Sequence, residues 1–303
     1  MDNDNIKLTI HTATYNRAHT LPKVYESLCK QTNYLFQWVV TDNGSTDNTE
    51  SLLKGWVKNE TRFKIEYQKI NGRGKNRAIN YALDKLDSGY FFILDSDDYL
   101  LPNAVDEIYK RIPEIENNPE FVGIGFLRVK ENGLPIKGVY PKVNISGFVD
   151  CTNLERANYD LDADMCEAYK VDILKKYSFP FYNGEVFAPE QICLNQIALD
   201  GYKIRWYNKA IYVCEYLDNG LTKGSWELLK NNKMGYAMMY NHMLKYPISP
   251  IQKFKAAIQH IVLSICGKHP EYIWQSNNKF YTILALPFGW IWSFRRKRQF
   301  AKG

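Results

Sequence analysis

The sequence predicts an α/β fold: a doubly wound, mostly parallel sheet followed by a helical extension at the C-terminus. Three observations predict it. Strand-like and helix-like runs alternate through the first hundred residues, which is the pattern of βαβ units. The run Tyr90-Phe91-Phe92-Ile93-Leu94 is continuously apolar, as expected of a strand covered on both faces. A polar cluster follows each strand-like run, at the sheet edge where doubly wound folds bind their ligands.

The elements follow in order. Ile6 to Ile10 alternates as a strand does and gives way to the polar turn Thr14-Tyr15-Asn16-Arg17. Thr20 is placed to cap a helix, with Pro22 in its first turn and Leu21, Val24, Tyr25 and Leu28 at helical spacing. Phe36 to Val40 reads as the next strand and ends in Thr41-Asp42-Asn43-Gly44-Ser45, after which Thr46 or Asp47 is expected to cap a helix bearing Leu52, Leu53 and Trp56. Phe63 to Tyr67 is a third strand, Asn71 to Lys75 a glycine-containing loop and Ala78 to Leu86 a third helix. The buried strand then ends abruptly in Asp95-Ser96-Asp97-Asp98.

Composition narrows the class. Hydrophobic residues make up 45% of the 303 and aromatics 15%, which describes a globular chain long enough for one large domain with appended elements. The acidic start Met1-Asp2-Asn3-Asp4-Asn5 lacks the basic and apolar signature of a signal peptide, so the expected location is the cytoplasm. Six dispersed cysteines form no C-x-x-C pair, which argues against zinc and for reduced core thiols. Charge is asymmetric: residues 221–303 hold thirteen Lys or Arg against Glu227 and Glu271, whereas the net charge of the whole chain is only +6. Such a tail is expected to be drawn to a polyanionic surface.

Asp95 and Asp97 sit two residues apart beyond a buried strand, where Mg²⁺ or Mn²⁺ commonly bridges carboxylates to substrate phosphates. An acidic turn leading into the helix that starts near Pro102 would look the same. Order supplies the context. Thr12 to Arg17, Val40 to Asp47, Asn71 to Lys75, Ala78-Ile79-Asn80 and Leu94 to Asp98 occur in sequence at successive strand ends. The set resembles glycosyltransferase family 2, whose members have the GT-A fold, over roughly residues 5 to 220.

The resemblance implies roles. Thr14, Tyr15 and Arg17 would hold the base and ribose of a UDP-sugar, and Asp42 would meet the uracil edge; here Asn43 stands beside it where the family usually has a second acid. Lys75 would lie near nucleotide or phosphate, since its loop resembles the family's N-G-G-K variant and lacks the pattern of a dinucleotide or Walker loop. Asp97 would be the main ligand of Mn²⁺ or Mg²⁺ in this D-X-D motif, with Ser96 between it and an Asp95 that contacts ribose or the ion's water. Asp164 would line the sugar pocket. Many members carry Glu-Asp where this chain has Glu190-Gln191; Gln191 cannot accept a proton, so Glu190 is expected to be the base, its alternative being a carboxylate in the first turn of a helix. Tyr216, in the loop from Glu215 to Thr222, would contact the pyrophosphate. His11, His19 and His260 fit no metal-ligand spacing.

The tail resembles nothing in that set and is read on its own terms. Ile251, Phe254, Ile258, Ile261, Val262 and Ile265 form one face of a helix. Tyr281 to Trp292 is apolar but too short for the ~20 residues of a membrane span and is interrupted by Pro287. With Trp290, Trp292 and the cluster Arg295-Arg296-Lys297-Arg298, it is expected to lie at the surface of an anionic membrane, while residues 225–265 pack as helices.

The expected organisation is a GT-A catalytic domain over residues 1–222, divided into a nucleotide-sugar half (1–100) and an acceptor half (101–222), and a basic, membrane-contacting helical extension over 223–303. The expected function is inverting transfer of a hexose from a nucleoside-diphosphate sugar to a hydroxyl on a lipid-linked or cell-surface glycan, in polysaccharide biosynthesis at the inner face of a membrane and with no nucleic-acid partner. Two rivals stand beside it: a silent nucleotide-sugar-binding module, suggested by Gln191, and a nucleotidyltransferase, which would show a basic phosphate loop at its first turn.

Overall fold

The computed structural model of the protein describes residues 7–215 and 225–302. They divide into two units, residues 7–178 with 195–215 and residues 179–194 with 225–302. Each is described by itself.

The first unit is built on one sheet. Its first half is parallel, in the order β3-β2-β1-β4, from β1 (Leu8–Thr14), β2 (Phe36–Asp42), β3 (Lys64–Lys69) and β4 (Tyr90–Ile93). The register Thr14 to Asp42 brings the ends of β1 and β2 level. Helices α1 (Leu21–Cys29), α2 (Thr49–Asn59) and α3 (Lys75–Asp84) make the crossovers. Because side chains alternate along a strand, Leu8, Ile10, Phe36, Trp38, Val40 and Phe92 share one face and pack with Leu21, Val24 and Leu28 of α1 and Leu53 of α2. On the other face Tyr81 and Ala82 of α3 lie over Gln37, Val39 and Thr41.

Helix starts differ from the sequence expectation by a few residues. Thr20 holds the cap position of α1, but its side chain makes no cap hydrogen bond. α2 starts at Thr49 with Asn48 in the cap position, and Asp47 just before it accepts from the Thr49 amide (3.0 Å), the first of the helix, and from the Ala18 amide (3.2 Å). α3 starts at Lys75, which puts that lysine in a helical first turn.

Beyond β4 the sheet becomes mixed. The two-residue β5 (Tyr99–Leu100) and α4 (Ala104–Arg111) lead to β6 (Phe121–Lys130) and β7 (Phe148–Cys151), then β8 (Met165–Lys170) and the short α5 (Val171–Leu174). After α6 (Gln191–Leu199) comes β9 (Lys203–Cys214). β8 runs antiparallel between β4 and β6, β9 runs parallel to β6, and β5 and β7 pair antiparallel with β9. Two glycines let β6 lie close to its neighbours: a Cβ on Gly123 would stand 2.4 Å from the Ala168 carbonyl oxygen, and one on Gly125 2.3 Å from the Trp206 ring.

The second unit is helical, with α7 (Ser225–Asn231), α8 (Lys233–Met243), α9 (Pro250–Cys266) and α10 (Lys279–Lys302). Ser249 and Gln252 form a reciprocal capping box at the start of α9, with Pro250 in its first turn. Of the expected apolar face, Ile258, Ile261 and Val262 are buried and pack with Leu244, Ile273 and Ala285, Phe254 and Ile265 are partly buried against them, and Ile251 is exposed. Residues 185–188 dock on α8: Glu185 accepts from the Met234 and Gly235 amides at 2.8 Å each, and Asn232 accepts from the Val186 and Phe187 amides at 2.9 Å. This segment therefore groups with the helices, although the sequence joined it to the preceding domain. α10 continues through Pro287, where the sequence suggested an interruption.

Candidate active site

The ends of β1 and β2 are laced into one platform. Asn16 adopts a left-handed backbone (φ 53°), which asparagine tolerates better than most residues. Its side-chain oxygen accepts from the Thr46 amide (2.8 Å), and its own amide donates to Ser45 Oγ (2.9 Å). The Arg17 amide donates to Thr49 Oγ1 at 3.0 Å. Asp42 is fully buried and anchors the platform: Oδ1 accepts from the Ser45 amide (2.8 Å) and hydroxyl (2.6 Å), and Oδ2 from the Tyr67 hydroxyl (3.0 Å). A carboxylate has about four acceptor sites, so one remains on Oδ2. Beside it, the buried Thr14 Oγ1 and Asn43 Oδ1 have no hydrogen-bond partner, an arrangement that a polar ligand at this platform would complete.

The acidic turn after β4 carries the charge. The Asp95 carboxylate meets Lys75 Nζ at 2.5 Å through one oxygen and Arg128 Nη1 at 2.8 Å through the other. Burial opposes its ionisation, but these two cations prevail and hold it well below the usual carboxylate range. Asp97 has less support, with Arg17 Nη2 at 3.8 Å; burial and then the Asp95 charge push its carboxyl upward. Asp98 is buried behind them, its Oδ2 accepting from the Tyr212 hydroxyl (2.9 Å) and its Oδ1 from the Glu215 amide (2.9 Å). Burial and Asp95 push Asp98 up to about 7, against the pull of Arg128. Ser96 is buried between the two outer acids.

Cations complete the rim. The Arg73 guanidinium lies 4.4 Å over the Tyr15 ring and hydrogen-bonds its hydroxyl. Thr14 and Asp42 end β1 and β2, Tyr15, Arg17, Asp95, Ser96 and Asp97 lie on the loops that follow β1 and β4, and Lys75 lies in the first turn of α3. Asp164 is exposed in the turn before β8. It directly precedes Met165, whose carbonyl accepts from Nε of Arg128, the arginine that holds Asp95. Glu190 belongs to the other unit, half-buried just before α6, and its carbonyl accepts from the Cys193 (3.0 Å) and Leu194 (3.2 Å) amides. Tyr216 lies outside the described residues.

Sequence reasoning missed Arg128, Asp98 and Tyr212. Arg128 is a cation within the apolar strand β6, largely buried, with Nε donating to the Met165 carbonyl (2.7 Å) and its guanidinium 4.2 Å from the Tyr212 ring centroid. A charge at such a position needs an acid partner, and that was the available signal. Among the described residues no three His, Cys, Asp or Glu side chains converge as a ready metal cage. The donor set nevertheless suits a hard cation that takes one or two carboxylates plus substrate phosphates, because Asp97 is an under-compensated acid beside a second acid.

Comparison with known proteins identifies the family and the fold. The model of the family described as Glycosyl transferase family 2 matches residues 9–178, more than half of the chain. A teichoic acid poly(glycerol phosphate) polymerase of Staphylococcus epidermidis is 25% identical over 224 residues, covering 64% of this chain and 31% of the relative. This chain thus spans about a third of that relative's length. The Escherichia coli protein WfgD, a UDP-Glc:α-D-GlcNAc-diphosphoundecaprenol β-1,3-glucosyltransferase, is 27% identical over 187 residues, covering 60% of this chain and 67% of the relative. Among solved structures, S. aureus TarS 1–349 in complex with UDP-GlcNAc superposes with a TM-score of 0.59 at 19% identity, covering 86% of this chain and 72% of that one, a likeness of fold. The family match and the shared GT-A architecture lead to one conclusion: the chain belongs to glycosyl transferase family 2.

Proposed function

We propose that the protein is an inverting glycosyltransferase that moves a sugar from a UDP-sugar to a hydroxyl of a lipid-linked or cell-surface glycan, with a divalent cation assisting, at the inner face of a membrane. The observation that carries this reading is the Asp95-Ser96-Asp97 turn, ringed by Arg17, Lys75 and Arg128, next to a platform with unpartnered Thr14 and Asn43 oxygens. A nucleoside diphosphate has the matching parts: a base and ribose for the platform and an anionic diphosphate for the cations.

In this reading Thr14 and Tyr15 hold the nucleoside, and Asp42 offers its remaining lone pair to the uracil edge while fixing the turn. Asp97 is the main metal ligand, and Asp95, held by Lys75 and Arg128, faces the ribose or the ion's water. When bound, Mn²⁺ or Mg²⁺ supplies positive charge against the departing diphosphate. Arg17 and Lys75 add to that stabilisation without leaving their acid partners. Glu190 takes the proton of the acceptor hydroxyl as its oxygen bonds to the anomeric carbon; the bond from that carbon to the diphosphate oxygen breaks on the opposite side, which inverts the centre. Asp164 contacts the sugar, and Tyr216 the pyrophosphate. The acceptor class is supported by the relatives' chemistry, since the WfgD acceptor is diphosphoundecaprenol-linked.

Asp97→Asn tests the core of the reading. Calorimetry with UDP should show Mn²⁺-dependent binding by the wild type and at least about a tenfold loss in the variant. Binding that is equally tight with and without metal in both proteins would refute the assignment.

A further inference from the structure

Helix α10 is built inside out. On a 3.6-residue period Thr282, Ala285, Gly289 and Ser293 fall on one stripe, and all four are buried. A Cβ on Gly289 would stand 2.7 Å from Ile261 Cβ, so the stripe is small because α9 lies directly against it. Most of the large apolar side chains point the other way: Phe280 is 65% exposed, Trp290 62% and Ile291 65%, with Ile283, Leu284 and Phe294 also exposed, whereas Tyr281 and Leu286 pack inward and Phe300 is buried. An ordinary surface helix turns its large apolar residues inward, and a contiguous apolar face of this kind marks an interaction surface.

Charge indicates what covers that face. From Lys279 to Lys302 there is no Asp or Glu, while Arg295, Lys297 and Arg298 stand exposed directly after the apolar stretch. A protein partner of mixed surface charge needs no such one-sided set, whereas an anionic lipid surface offers both an apolar interior and a layer of phosphates. The apolar stretch from Phe280 to Phe294 is about 21 Å long at helical rise, short of the ~30 Å hydrocarbon core. No helix among the described residues is long and apolar enough to cross a membrane.

We propose that the outward face of α10 is a lipid-binding surface that lies in the headgroup boundary of an anionic bilayer, Phe280 to Phe294 entering the acyl region and Arg295, Lys297 and Arg298 meeting lipid phosphates. The proposal rests on the membrane-surface part of the functional reading and assigns it to one helix face.

Co-sedimentation of the full chain with phosphatidylcholine vesicles containing about 30% phosphatidylglycerol tests it at low salt. Wild type should pellet with these vesicles, remain soluble with pure phosphatidylcholine, and be released as salt rises. Ile291→Glu, which removes no buried contact, and the double variant Arg295→Glu/Arg298→Glu should each bind at least about tenfold more weakly. Calorimetric UDP affinity measured on the same samples without vesicles should be unchanged. Wild type left in the supernatant, or either variant pelleting like wild type, overturns the proposal. So does a wild-type dimer that Ile291→Glu converts to monomer, which would give the face to a second copy. Absence of UDP binding in all samples would instead refute the nucleotide-sugar reading and leave the vesicle result standing.

Discussion

At the scale of single residues, the site depends on how buried charges are balanced. Arg128 holds Asp95 at 2.8 Å and stands 3.7 Å from Asp98, so removing it leaves two acids with weakened compensation in a largely dry setting. Breaking one side of a buried pair typically costs about 3–5 kcal/mol. Arg128→Met should therefore lower unfolding stability in urea by roughly that amount, and Arg128→Lys, which keeps the charge but not the two-pronged donor, by less. A loss under about 1 kcal/mol in the Met variant would show that the acids are compensated in another way. Asp95, Ser96 and Asp97 were legible in the sequence because they follow an apolar run; Arg128 was not assigned, because its role depends on β6 lying beside β8, a long-range pairing that local periodicity does not encode.

At the scale of elements, the parallel half of the sheet was readable and the mixed half was not. β1, β2 and β4 announce themselves by apolar runs that end in polar turns, and the site loops follow from them. The antiparallel insertion of β8 between β4 and β6 comes after β5, α4, β6 and β7 in the chain, so it rests on long-range pairing that strand-helix alternation does not announce. The start of α2 was misplaced by one or two residues, because Asn48 takes the cap position while Asp47 accepts from the first amide of the helix and from the Ala18 amide. α10 shows the opposite failure: Pro287 suggested a break, yet the helix tolerates it because a proline needs only its own amide and a turn of space given up. Gly289 is the more demanding position. Gly289→Leu should force α10 away from Ile261 and destabilise the helical unit by about 1–3 kcal/mol, seen as an earlier thermal transition, with UDP affinity retained. An unchanged melting curve would mean that the close approach of α9 and α10 contributes little.

At the scale of the whole molecule, the proposed roles fall on residues of two units. The first holds the nucleotide platform and the acidic turn; the second holds Glu190, on a segment anchored to α8 by Glu185 and Asn232, and the exposed face of α10. The sequence showed the charge asymmetry between body and tail but could not show that residues 179–194 join the helices, since the bonds that attach them span about fifty residues. The central claim is sugar transfer from a UDP-sugar with Glu190 as base, and its rivals are a silent binding module and a nucleotidyltransferase. The most direct measurement incubates wild type, Asp97→Asn and Glu190→Gln with Mn²⁺ and a panel of UDP- and dTDP-sugars, and follows the nucleotide products by chromatography. The account predicts release of nucleoside diphosphate by the wild type with at least one donor, loss of release in both variants, and UDP affinity retained in Glu190→Gln, since general-base catalysis is worth about 10²–10⁴ in rate and little in binding. Tight UDP binding without release from any donor, release of pyrophosphate, or turnover by Glu190→Gln within a few-fold of wild type would contradict it.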